Sequence, residues 1–348
     1  MTRETAVAWD VVVVGGGIAG ISVAAELAEH RSVLLVEAEP ELARHSTGRS
    51  AALYAPSYGG PVVRALTAAS RPLFPDGVLT ARPMLWVGDV SGILATGAAD
   101  EVTADEALRI CPVLRRVERA ALDSGTTDID VMGVHQHYVQ RLRAAGGEIR
   151  RGAPVTALRR DGSGWVVTLG TEEVHAGVVV NAAGAWTDRV AALAGVPTLG
   201  LRPLRRTIAI ATGTAPVDPG WPLVADVEDT FYFRPEGPGV LVSPADETPV
   251  EPGDAKPDDL DIALALDRVN EATTLGLRSV RTAWAGLRTF AADREPVVGE
   301  LPGHPGFTFF AGQGGYGIQM APALAVVAAK IVLGEPTEFT DLVSPARL

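Results

Sequence analysis

Gly15 and Gly17 stand between four consecutive valines, Val11 to Val14, and a small and apolar stretch from Ile18 to Leu27 that contains Gly20. About twenty residues further on, Glu37 ends a second apolar run, Val33 to Val36. This combination suits the pyrophosphate of a dinucleotide. Gly15 permits a tight turn, Gly17 lets the backbone approach the phosphates, and Gly20 lets a helix lie close on its strand. The helix N-terminus would offer free N–H groups and a positive dipole end, and Glu37 would accept from a ribose hydroxyl. Two later segments repeat the strand–glycine–helix arrangement. Asn181 to Gly184 follows the apolar run Val178 to Val180, and Gly312 to Gly317 follows Phe307 to Ala311. A nicotinamide domain needs no such closing glycine loop, whereas a flavin spanning two domains needs several junctions of this kind.

The elements that must position these groups follow from hydrophobic period and turn residues. Val11 to Val14 reads as a buried parallel strand and Ile18 to Leu27 as the helix packed on it. Helices are expected over Pro61 to Phe74, Thr103 to Ile110 with a capping box from Thr103 to Glu106, Val131 to Ala145, Thr187 to Leu193 and Leu260 to Leu275. A last helix is expected to end near Leu333. Short strands are expected over Val155 to Arg160, Trp165 to Leu169 and Val174 to Ala176, joined by glycine turns. Strands dominate 207–244. The segment 246–259 is rich in Pro, Asp and Glu and reads as a solvated loop. His135 and His137, two apart on an amphipathic helix, point to different sides and read as structural.

Composition narrows the functional classes. The chain has 348 residues, which favours two domains or one large composite domain. Its net charge of -12, from 42 acids against 30 bases, argues against a nucleic-acid footprint and an anionic membrane surface. Cys111 is the only cysteine, so an internal disulfide and a thiolate metal cluster are both excluded. No metal site is expected. Residues 1–8 carry no apolar signal core, and the run Ala321 to Leu333 is too short to span a bilayer. A soluble, cytoplasmic protein is the expectation.

Five blocks carry a resemblance: His45 to Ala52, Val63 to Arg71, Val180 to Trp186, Trp284 to Arg288 and Gln313 to Gln319. Through them the chain resembles the D-amino-acid oxidase superfamily of FAD-dependent amine oxidoreductases, the group that holds glycine oxidase and sarcosine oxidase. It looks most like the D-arginine dehydrogenase branch, over almost its whole length. The resemblance implies a mixed α/β fold: a Rossmann-type FAD-binding domain from 1–80, 146–200 and 291–348, and an antiparallel-sheet substrate domain from 81–145 and 201–290. It implies that Gly15, Gly17, Ile18, Ala19, Gly20, Glu37 and Ala38 hold the nucleotide end. Ser46, Thr47, Arg49, Ser50 and Ala51 would line the flavin, with Val155, Ala183, Gly184 and Trp186 along its flank. Gly314, Gly315, Tyr316, Gly317 and Ile318 would face its pyrimidine edge. Arg206, Tyr232 and Arg288 match positions that hold a substrate carboxylate, with Tyr58 beside them. A guanidinium fork suits two carboxylate oxygens and a phenol adds a donor. Leu53, Met84, Gly286 and Gln319 would line the substrate pocket.

The departures from that branch concern the substrate. The cation-preferring relatives carry a glutamate where this chain has Met84, and a histidine where it has Leu53. Without the counter-charge a buried cationic tail is disfavoured, so an apolar or aromatic tail is expected. The expected reaction is oxidation of the C–N bond of an apolar D-amino acid, with oxygen or a quinone-type compound as electron acceptor. Oxidation of an N-substituted glycine is the alternative, and an electron-transfer subunit or a nicotinamide dehydrogenase are rivals of other classes. Cys111 lies far from the closing motifs, so FAD is expected to be noncovalent.

Overall fold

The computed structural model describes residues 8–348. Residues 1–7, on which most of the reading of the N-terminus rests, lie outside the described residues.

The four valines do form a central strand. β1 (Ala8–Val14) runs parallel to β2 (Val33–Val36) on one side and to the strand Glu172–Asn181 on the other, pairing Val11 with Val33 and Val178. Val11, Val12 and Val13 are at most 1% exposed, as expected for a parallel strand buried on both faces. The strand Glu172–Asn181 joins into one element the two runs expected from the sequence, Val174 to Ala176 and the apolar run that ends at Asn181. Its first half pairs antiparallel with Gly164–Leu169, and its end pairs parallel with Phe307–Ala311. This eight-stranded sheet carries the glycine turn that follows β1 at its carboxyl end.

α1 (Ile18–Ala28) follows β1 through a turn only glycine satisfies. Gly15 has φ +112°, and a Cβ there would lie 2.5 Å from the Ala182 carbonyl oxygen. A Cβ on Gly20 would lie 1.8 Å from the Gly15 oxygen, so Gly20 sets how closely α1 packs on its own turn. Val131–Ala144 packs in the same core through Val134, Val139 and Leu142. That differs from the segment boundaries expected above, which put residues 81–145 with the second sheet. This helix buries its apolar stripe against α1, a tertiary choice that chain order does not reveal.

The second sheet has ten strands and is mostly antiparallel. Its centre is the long pair Arg202–Thr212 and Ser279–Phe290, with Leu204 opposite Arg288, Arg206 opposite Gly286 and Ile208 opposite Trp284. Side chains alternate along a strand, so Arg206, Ile208, Gly286 and Arg288 share one face. Further along the sheet, Tyr232 stands beside Ala225, Ala225 beside Trp86, and Met84 beside Leu223. The opposite face packs on the helix Asp259–Ala272 and on Ala104–Ile110, whose N-terminus has the expected capping box. Among the described residues, no helix is long and apolar enough to cross a membrane.

Candidate active site

A cavity of about 500 Å³ lies between the carboxyl end of the first sheet and the arginine-bearing face of the second. It is lined by Gly15, Gly17, Ile18, Ala19, Glu37 and Ala38 at one end. Ser46, Thr47, Arg49, Ser50 and Ala51 follow, with Val155, Ala183, Gly184 and Trp186 on a flank. The far end holds Leu53, Tyr58, Met84, Arg206, Tyr232, Gly286 and Arg288, and the closing loop adds Gly314, Gly315, Gly317, Ile318 and Gln319. Two expected residues do not line it. Gly20 is spent on packing α1, and Tyr316 sits behind the wall with its ring 5.0 Å from that of Tyr58 and 6.1 Å from that of Phe290. Burial pushes the Tyr316 phenol up to about 12.

At the nucleotide end, the Glu37 carboxylate accepts from the Gly16 N–H at 2.6 Å and from the Glu39 N–H at 2.8 Å. These bonds fix the carboxylate and leave lone pairs for a hydroxyl donor. Thr47 Oγ1 accepts from the Ile18 N–H at 2.9 Å, tying the polar loop to the start of α1. His135 is buried, and its Nε2 lies 3.0 Å from the Gly16 carbonyl oxygen. Burial lowers its pKa against the opposing effect of that hydrogen bond. Its role is to brace the glycine turn from below, and His137 lies outside the cavity.

The middle of the cavity has polar atoms in need of a partner. His45 Nδ1 and Gln313 Nε2 are buried, line the space and have no hydrogen-bond partner among the described residues. Such orphans are uncommon in a finished protein interior, and a polar ring system with carbonyl and N–H edges would satisfy them. The donor set therefore fits a flavin nucleotide. The hydroxyls of the polar loop are engaged within the protein, Ser46 Oγ donating to the Leu287 carbonyl at 2.7 Å. The Arg49 guanidinium donates to the Ala255 and Ala285 carbonyls and pairs with Asp254, so this residue meets the cavity mainly through its stem and backbone. Gln319 is similarly committed: its amide oxygen accepts from the Ala55 N–H at 3.2 Å and its nitrogen donates to Thr67 Oγ1 at 3.0 Å.

At the far end, Arg206 and Arg288 are both more than nine-tenths buried. Arg288 donates to Tyr58 Oη at 3.0 Å and to Glu247 at 2.9 Å, and its guanidinium lies 5.1 Å from the centre of the Phe290 ring. Burial opposes its charge, but the surrounding phenols and the Asp229 and Glu247 carboxylates more than offset that, raising its pKa. Arg206 donates to the Asp246 carbonyl at 2.9 Å and to Asp229 at 3.3 Å. Burial raises the Tyr232 phenol, opposed by the Arg206 charge. A Cβ on Gly315 would meet Arg288 Nε at 2.2 Å, so this glycine admits the arginine against the closing loop. The rest of this end is lined by the apolar side chains of Leu53, Met84, Trp86, Ile208, Leu223 and Ala225, most of them further along the same sheet.

Several of these residues escaped the sequence reading. Trp86, Ile208, Leu223 and Ala225 come from strand register alone. Asp229, with φ +54°, lines the cavity beside Arg206. The segment expected to be a solvated loop also departs from expectation. The Asp246 side chain is only 7% exposed and accepts from the Thr207 N–H, and Glu247 bonds Arg288 and Arg294. The one sequence sign was an acidic run in a chain with buried arginines in need of partners. Cys111 is buried among apolar side chains away from the cavity, and burial pushes its thiol up to about 12.

Comparison with known proteins agrees with this geometry. The family model of FAD dependent oxidoreductases, DAO, matches residues 10–331. The chain is 34% identical over 184 residues to FAD-dependent oxidoreductase domain-containing protein 1 of Bos taurus. That match covers 47% of this chain but only 37% of the relative's length. It is 31% identical over 338 residues to a D-amino-acid oxidase of Streptomyces coelicolor, covering 92% of this chain and 96% of the relative. The glycine oxidase structure from Geobacillus kaustophilus has the same fold, with a TM-score of 0.82 over 98% of this chain and 99% of that one at 20% identity. The chain belongs to the DAO family of FAD-dependent oxidoreductases.

Proposed function

We propose that this protein oxidises the C–N bond of a small amino acid that carries a free carboxylate, with an apolar D-amino acid as the preferred substrate. The observation that carries this reading is the pairing of two buried arginines, Arg206 and Arg288, with the apolar wall around Met84. Arg206 and Arg288 hold the carboxylate, and the Tyr232 and Tyr58 hydroxyls supply further donors. The wall takes the side chain and excludes water from the reacting carbon. Bound FAD supplies the hydride acceptor. Fixing the carboxylate at one end and the tail at the other leaves the α C–H one orientation towards the closing loop. The imino acid leaves and hydrolyses in water. Dioxygen or a quinone-type compound serves as final electron acceptor, in the cytoplasm where we place the protein. Noncovalent attachment fits the position of Cys111, buried in the other core.

The D-amino-acid oxidase of Streptomyces coelicolor supports the substrate class because the likeness runs nearly the full length of both chains. An N-substituted glycine is the second reading, since the same wall would take a tail attached to nitrogen. Anaerobic bleaching of the flavin against D-leucine, D-phenylalanine, N-methylglycine and the decarboxylated amines separates the two. D-leucine is expected to bleach fastest and the amines barely to react. Arg288→Met is expected to raise KM for D-leucine about 100-fold, or ~2.7 kcal/mol. Equal turnover of D-leucine and its decarboxylated amine would remove the clamp from the proposal.

A further inference from the structure

Glu247 has no place in the reaction outlined above, yet it sits at the centre of the charge cluster. One of its oxygens lies 2.9 Å from Arg288, 3.5 Å from Arg206 and 2.6 Å from Arg294. Its side chain is about a third exposed and does not line the cavity, so it touches the clamp from behind. Asp229 meets Arg206 at 3.3 Å from the cavity side. Three guanidinium groups thus face two carboxylates, which leaves one positive charge uncompensated. Beyond these direct contacts the neighbourhood is net acidic, because Arg205 there meets Asp246, Asp258 and Asp261, and this adds to the cost of a second negative charge on a ligand.

We propose that Glu247 is a specificity-determining residue that presets the clamp to accept a single substrate carboxylate and to reject a second one. The proposal rests on the reading of Arg206 and Arg288 as the carboxylate clamp. A monocarboxylate brings the cluster to neutrality at the moment it is desolvated. A dicarboxylate of the same size leaves a buried negative charge facing Asp229 and an apolar wall, with no cation to meet it. Glu247 also restrains both guanidinium groups in one geometry, because the same oxygen is shared between them.

Propionate and malonate test the idea, since they differ by a methyl group replaced with a carboxylate. Both are titrated into the holoenzyme and followed by the flavin difference spectrum. The wild type is expected to bind propionate at least ten-fold tighter than malonate. Glu247→Gln frees one more positive charge and is expected to shift that ratio towards malonate by ten-fold or more. Arg294→Ala, outside the cavity and 46% exposed, leaves the cluster neutral and is expected to weaken propionate about ten-fold. This second variant keeps the test open if Glu247→Gln does not fold. Equal or tighter malonate binding by the wild type overturns the proposal, as does an unchanged ratio in folded Glu247→Gln or unchanged propionate binding in Arg294→Ala. Arg288→Met separates the two levels. If it weakens propionate while the ratio ignores Glu247, the clamp stands and the role of Glu247 falls. If propionate binding is indifferent to Arg288, both fall.

Discussion

Met84 is buried in a strand between Leu223 and Asp123, and with Leu53, Trp86 and Ala225 it gives the far end of the cavity an apolar lining. A leucine- or phenylalanine-sized tail gains about 1.5–3 kcal/mol on full burial there. A guanidinium placed at the same spot meets no carboxylate from this wall. The acid that reaches this end of the cavity, Asp229, is already paired with Arg206. We therefore expect Met84→Glu to move kcat/KM for D-arginine relative to D-leucine by about ten-fold or more towards D-arginine. A wild type that already favours D-arginine would mean that Asp229 serves the substrate and not Arg206. Sequence made Met84 visible as an apolar replacement but hid Asp229 and Glu247. Their place depends on strands paired across many residues of intervening chain, and no spacing rule within the acidic segment points to an arginine elsewhere.

Between strand and helix, the decisive joint is the turn from β1 into α1. This element was legible because its signals are local: four valines, then glycines where only a missing Cβ lets the backbones meet. The helix Val131–Ala144 was equally legible as a helix, from its apolar period and the glycines that end it, but its partner was not. It packs on α1 and sends His135 to the Gly16 carbonyl, so a segment far along the chain supports the opening turn. Gly20→Ala tests this joint. A methyl 1.8 Å from the Gly15 oxygen cannot be accommodated without moving the helix away from its turn. The expected result is loss of FAD affinity by ten-fold or more, measured by equilibrium dialysis, with circular dichroism close to wild type. Unchanged affinity would show that the turn and helix can separate without cost to the nucleotide site. His135→Ala removes a buried hydrogen bond and its packing, so a loss of about 1–3 kcal/mol in urea unfolding is expected.

Across the whole molecule, the cavity belongs to neither sheet alone. One sheet brings the glycine turns and Glu37, the other brings the arginines and the apolar wall, and the closing loop from Gln313 bridges them by pairing with Thr289 and Phe290. A ligand that fills this space bonds both halves and so binds the folded chain far better than the unfolded one. FAD at 100 times its dissociation constant then adds about 2.7 kcal/mol to stability. The expected signature is a melting temperature that rises with FAD concentration over the apoprotein. No thiol is poised to hold the flavin, because Cys111 is buried in the core behind the second sheet with its thiol kept protonated. Acid precipitation is accordingly expected to release all the yellow colour into the supernatant. Native alkylation at pH 8 should leave Cys111 unmodified, while unfolding in urea exposes it to the same reagent. Colour that stays with the pellet would point to a covalent bond through another side chain, and His45, whose ring faces Trp186 in the cavity wall, would be the first to map by peptide mass.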